Sequence, residues 1–300
     1  EKTVAMADLF PKGVEGKKLT VEYTANPSWL MIQTLPYIST VDYKNAINLA
    51  TAYYANAIGR YIMNQSPVIK QVVNIWKQEP AGSDNSLMSA LQRNQELKTL
   101  VLDETPWVMD ADNEADQKRM LTTFFDESAM DYRLASQLKD LKDLQNSDGS
   151  WSWWRGMRGS ACITAQVLQT LARLNVMTGY QKATAKMIEN GMDYLRTVVM
   201  KEFEEMKRME KKGQKPMICD YHAIQYLYIN TLFGKNPFYD SDYVELKNYL
   251  LKYLEADRHR DIYSKALMAV VLNGDGKAKK AKEYVESIRQ YTVTKPGMGT

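Results

Sequence analysis

With 300 residues, 45% of them apolar, the chain can bury a sizeable core as one large or two ordinary domains. Its 39 basic and 36 acidic side chains leave a net charge of +3, too weak a field to draw nucleic acid or an acidic membrane by charge alone. No apolar run is long enough to cross a bilayer, so no direct membrane insertion is expected, and with neither an initiating Met nor a secretory leader the chain reads as a piece of something larger.

The first patterned stretch, Leu19 to Thr24, alternates apolar and polar residues at the period of a half-buried strand. It has no partner nearby, so residues 1–25 read as loop and strand linking from a preceding β-domain. Helical structure starts at Asn26-Pro27-Ser28, with Trp29, Leu30, Ile32 and Leu35 on its apolar face and Pro36 as its expected limit. Tyr43 to Met63 keeps helical spacing, Ser66-Pro67 breaks it, and Val68 to Trp76 resumes it. Gly82 to Glu104 gives two short helical patterns that Thr105-Pro106-Trp107 ends. Asp110, Asp112, Glu114 and Asp116 alternate as in a calcium loop. Ala115 stands where that loop needs Gly, however, and Leu121 where it needs Glu, so the acids are read as opposing the dipole of the helix through Phe124.

The helix Glu127 to Leu144 leads into the stretch around which the chain is organised, QNSDGSWSWWRGMRGSACIT. Gln145, Asp148, Gly149 and Trp151 form a structural turn motif: Asp-Gly supplies the turn, the Gln amide satisfies backbone groups at a helix end, and the indole packs over both. Trp153 and Trp154 with Arg155 and Arg158 have two readings, a staple holding the turn to later helices or a platform for a peptide or sugar. The staple is the simpler, and Trp153 and Trp154 are the better surface candidates. A buried helix is expected from Met157 to Leu174, with Ser160 as a cap.

Beyond Thr178-Gly179, Ala183 to Val199 is helical. Lys201 to Lys215 continues it as a charged segment with Glu204 and Arg208 spaced for an ion pair and a solvated basic tail. Tyr221 to Phe233, Asp242 to Leu254, Asp261 to Leu272 and Ala278 to Tyr291 follow as further helices. His222 reads as a packing or capping residue and His259 as solvated, since neither has a companion His or Cys at ligand spacing. Cys162 and Cys219 read as buried thiols, with a disulfide open in an oxidising compartment. No catalytic residue, metal or cofactor is expected.

The run QNSDGSWSWWRGMRGSACIT, together with TANPSWLMIQTLPYI, ELKTLVLDETPWVMDADNEADQKRML, HAIQYLYINTLF and the terminal KPGMGT, resembles the thioester-type helical domain of bacterial alpha-2-macroglobulins. The resemblance covers nearly the whole chain, with its motifs in order. It implies an all-α fold, an α/α-toroid of helical hairpins over residues 26–300, whose last helices would be missing because the chain stops where the family continues. In thioester-bearing relatives a C-x-E-Q motif precedes the Tyr-Ala-Asn matched by Tyr54-Ala55-Asn56. Here that motif falls on Asn45, Ala46, Ile47 and Asn48, which offer no sulfur to carry an acyl group.

The resemblance therefore implies a non-catalytic domain of a broad-spectrum protease inhibitor without covalent thioester capture. Such a domain would dock on neighbouring β-domains of its parent chain, meet target proteases through that parent, and be held in the cell envelope, periplasmic or surface-exposed. The competing reading is a peptide- or glycan-binding module of the envelope that uses the aromatic cluster. A toroid enzyme would need convergent carboxylates, and no D-D-x-x-D or D-x-D-D cluster is present.

Overall fold

The computed structural model describes residues 27–78, 114–216, 220–234, 241–256 and 260–293. The Leu19 to Thr24 strand, the patterns between Gly82 and Glu104, Asp110, Asp112, Cys219, His259 and the terminal KPGMGT lie outside them. Among the described residues the fold is all-α: eleven α-helices, one short 3-10 turn at Lys182–Thr184, and no strand beyond a single bridge between Gln145 and Trp151. The helices are α1 (Pro27–Ser39), α2 (Ala46–Gln65), α3 (Pro67–Gln78), α4 (Glu114–Phe124), α5 (Glu127–Asp143), α6 (Ala161–Thr178), α7 (Ala185–Lys211), α8 (Asp220–Phe233), α9 (Ser241–Ala256), α10 (Ile262–Gly274) and α11 (Ala278–Arg289).

Several boundaries differ from the sequence expectation. Helix α1 runs through Pro36 to Ser39, because a proline removes one N–H and one backbone bond and three more residues complete the last turn. Helix α6 starts at Ala161 rather than Met157, since Ser160 is its N-cap and accepts from the Ile163 N–H. The charged continuation expected past Lys201 does belong to the same helix as Ala183 to Val199, but α7 runs only from Ala185 to Lys211, behind a 3-10 turn at Lys182–Thr184 and ahead of a turn at Lys212 and Gly213. On it Arg208 pairs with Glu205 rather than Glu204; positions three and four apart are equally adjacent on a helix surface, and the nearer carboxylate takes the guanidinium.

The chain divides into two compact units, the first comprising residues 1–37, 66–126 and 292–300 and the second residues 38–65 and 127–291. In the first, α3 packs on α4. Val73, Leu121, Phe124 and Phe125 are buried there, the two phenyl rings meet edge to face, and the Lys118 ammonium lies over the Trp76 indole.

In the second unit, α2, α6, α8 and α10 are successive neighbours in a row. Helix α5 packs beside α2, α7 against α6 and α8, α9 against α7 and α8, and α11 against α10. Burial follows this arrangement. Helix α8 buries every residue from Ala223 to Asn230, which an element with neighbours on most sides must do. Helix α7 buries a stripe, Met187, Ile188, Gly191, Met192, Leu195, Val199, Phe203 and Met206, and turns most of its charges outward, Glu202 excepted. Among the buried residues of α11 only Ala281 stands out, as suits a helix covered on one side.

Candidate functional site

The turn between α5 and α6 is built by hydrogen bonds that its own residues supply. The Asp148 carboxylate accepts from the Ser150 N–H at 3.0 Å and from the Ser150 hydroxyl at 2.6 Å, and the hydroxyl's bond holds the Asp148 carboxyl below its ordinary range. Gly149 follows at φ +85, and a Cβ there would stand 2.1 Å from the Asn190 carbonyl oxygen of α7. The position therefore needs glycine twice over, for its backbone conformation and for the close approach of α7. The Gln145 amide donates to the Gly149 carbonyl and to the Met187 carbonyl in the first turn of α7, both at 2.9 Å.

Trp151 is completely buried where α5, α6 and α7 come together. Its indole N–H donates to the Leu141 carbonyl at 2.9 Å, its backbone N–H donates to the Thr164 hydroxyl at 2.8 Å, and its ring lies so close to Gly191 that a Cβ there would be 2.7 Å from it. An indole buried with its one donor satisfied supplies a large apolar area without an orphaned polar group.

Trp153, Trp154, Arg155 and Arg158 follow on the outside of the turn. The two indoles are 42% and 41% exposed, and Met157 beside them is also exposed. The Trp153 carbonyl accepts from the Ala46 N–H at 3.3 Å, so the aromatic turn touches the start of α2. That is where Asn45, Ala46, Ile47 and Asn48 lie. Asn45 is 4% exposed, and its side-chain oxygen accepts from the Asn48 N–H at 2.8 Å, an N-cap bond. Ala46 is buried, Ile47 half-buried and Asn48 exposed. Sequence-predicted positions far apart in the chain, Ala46 and Trp153, thus share one corner of the second unit.

One grouping went unread in the sequence. His222, on the first turn of α8, has its Nδ1 2.8 Å from Glu202 Oε1 on α7 and its Nε2 3.8 Å from Cys162 Sγ on the first turn of α6. This corrects two expectations: His222 does have a cysteine partner, and Cys162 is exposed rather than buried. The reason is that 60 residues separate them, so no local spacing could signal the pair. Gln166, one helical turn after Cys162, donates to the Tyr221 hydroxyl at 2.8 Å and fixes the same α6–α8 level. Tyr194, on α7, feels charges from both the turn and this group. Burial first, then the Asp148 charge, raises its phenol, with Arg158 opposing and Cys162 adding.

The two ring nitrogens of His222 face different partners, so Cys162, His222 and Glu202 form a relay rather than a chelate. No cluster of metal-ligating side chains converges among the described residues, and no described helix is long and apolar enough to cross a membrane. No family model, curated protein or solved structure matches the chain.

Proposed function

We propose that this chain is a non-catalytic helical domain of a bacterial alpha-2-macroglobulin-like, broad-spectrum protease inhibitor that lacks the covalent thioester. The observation that carries this reading is the packing order of the second unit, an uninterrupted row of α2, α6, α8 and α10 with α5, α7, α9 and α11 beside it. A row of neighbours with helices beside it supports that reading, since it is the step a stack of helical hairpins repeats, and the Gln145–Trp151 turn ties α5, α6 and α7 together within it. The same reading explains Asn45. Where the resemblance expects the thioester cysteine, this chain has a buried side chain occupied in capping α2.

In this proposal the domain acts through docking. It would sit against β-domains of its parent in the cell envelope and change those contacts when a protease cuts the parent, which requires different contact energies in the two states. The test is the intact mass of the parent before and after methylamine and after limited proteolysis, with co-purification of the protease. No methylamine adduct together with retained protease is the expected outcome. An adduct at a cysteine of this domain would overturn the thioester-free assignment, and loss of the protease would overturn the inhibitor reading.

A second reading is favoured by the exposure of Trp153 and Trp154 beside Arg155 and Arg158, which suits a peptide- or glycan-binding surface. Quenching of tryptophan fluorescence by envelope glycans or acidic peptides, abolished in W153A/W154A, would favour it over the inhibitor domain.

A further inference from the structure

We propose that Cys162, His222 and Glu202 form a nucleophilic thiol site that accepts acyl groups from ester or thioester carbonyls. Three features of the geometry combine. Cys162 is exposed in the first turn of an 18-residue helix, where the helix dipole attracts negative charge to the sulfur. His222 Nε2 faces that sulfur at 3.8 Å, within reach of its proton. Glu202 accepts from Nδ1 at 2.8 Å, which places the ring hydrogen there and leaves the Nε2 lone pair towards the thiol.

The placement is also rigid. The His222 and Glu202 side chains are only 18% and 25% exposed. Glu202 Oε2 is buried with no hydrogen-bond partner, so the carboxylate bonds through Oε1 to the imidazole and is a positioning residue. The Gln166–Tyr221 bond ties α6 to α8 beside the pair, and Tyr221 packs edge to face on the His222 ring. The Cys162 sulfur also acts on the Tyr194 phenol of α7, raising it while Arg158 at the end of the turn opposes.

The step balances without an outside reductant or oxidant. Cys162 Sγ bonds to the acyl carbon while its proton passes to His222 Nε2. Collapse of the tetrahedral adduct breaks the bond to the leaving oxygen or sulfur, which departs with the electron pair and takes the proton from the imidazolium. A thioester remains on Cys162. The chemistry is opposite in polarity to that of a Cys–Gln thioester, because this cysteine is the nucleophile and its partner carries the carbonyl. The exposed position suits an acyl group carried on a large partner.

The test uses the full chain with p-nitrophenyl acetate, reading p-nitrophenolate release and locating the acetyl group by peptide mass. The expected result is one acetyl on Cys162 and a matching burst of p-nitrophenolate. H222A should slow it by roughly 100-fold and E202Q by about 10-fold, with unchanged circular dichroism. Labelling of Cys219 instead, or equal rates in wild type and H222A, would overturn the site. Should H222A fail to fold, the wild-type pH profile decides. A rate that levels by about pH 8 supports assistance by the imidazole, whereas a rise that continues through the ordinary thiol range near about pH 8.5 overturns it.

Discussion

Gly149 carries two independent constraints, a positive φ and contact with the Asn190 carbonyl, and each forbids a side chain. Gly149→Ala should therefore destabilise the second unit by about 2–4 kcal/mol in urea unfolding, well above the cost of an ordinary surface change. Trp151→Ala removes a fully buried indole among three helices and should cost about 3–5 kcal/mol by the same measurement. Asn45→Ala loses only a cap and should cost about 1 kcal/mol. The local half of this chemistry is legible in sequence, since Asp148-Gly149 announces a turn. The other half is not, because nothing near Gly149 in the chain says that Asn190 will lie against it. The same limit hid Cys162 and His222 from each other.

Among the elements, periodicity located α8, α9 and α10 within a residue or two, because long apolar stripes bounded by Asp, Gly or Pro leave little choice of helix. It failed where a local breaker was outweighed: Pro36 did not end α1. The charged continuation expected past Lys201 does extend α7, whose buried stripe runs on through Phe203 to Met206. Caps set the acid sensitivity of these helices. Asp261 caps α10 by accepting from the Ser264 hydroxyl and N–H, and those bonds hold its carboxyl below the ordinary range. A carboxyl depressed on folding contributes stability that is full above its unfolded value and is lost as pH falls through the folded one. Thermal melting between about pH 2 and pH 5 should show Asp261→Asn losing less stability than wild type as acid is added. The difference is small because the group is largely exposed.

For the molecule as a whole, what the sequence withheld is the order of neighbours. Repeated helices imply stacking, but only the burial of α8 from Ala223 to Asn230 and its contacts with α6 and α10 reveal a row. Stability should follow that row. Hydrogen exchange followed by mass spectrometry should find α6 and α8 slowest and α11 among the fastest, since opening α11 uncovers little buried surface. Equal protection of α8 and α11 would contradict the packing order.

The turn's grip on α7 reaches further than the turn. Gln145 and Gly149 seize that helix at Met187 and Asn190, and α7 continues unbroken to Lys211. Glu202 lies fifteen residues beyond Met187, roughly 22 Å along the axis at 1.5 Å per residue. A continuous helix transmits rotation as an axle does, so the angle at which the turn holds its near end is the angle at which Glu202 meets His222. The corner that fastens three helices is thereby also the part that sets where the Glu202 carboxylate stands against the imidazole of the next helix.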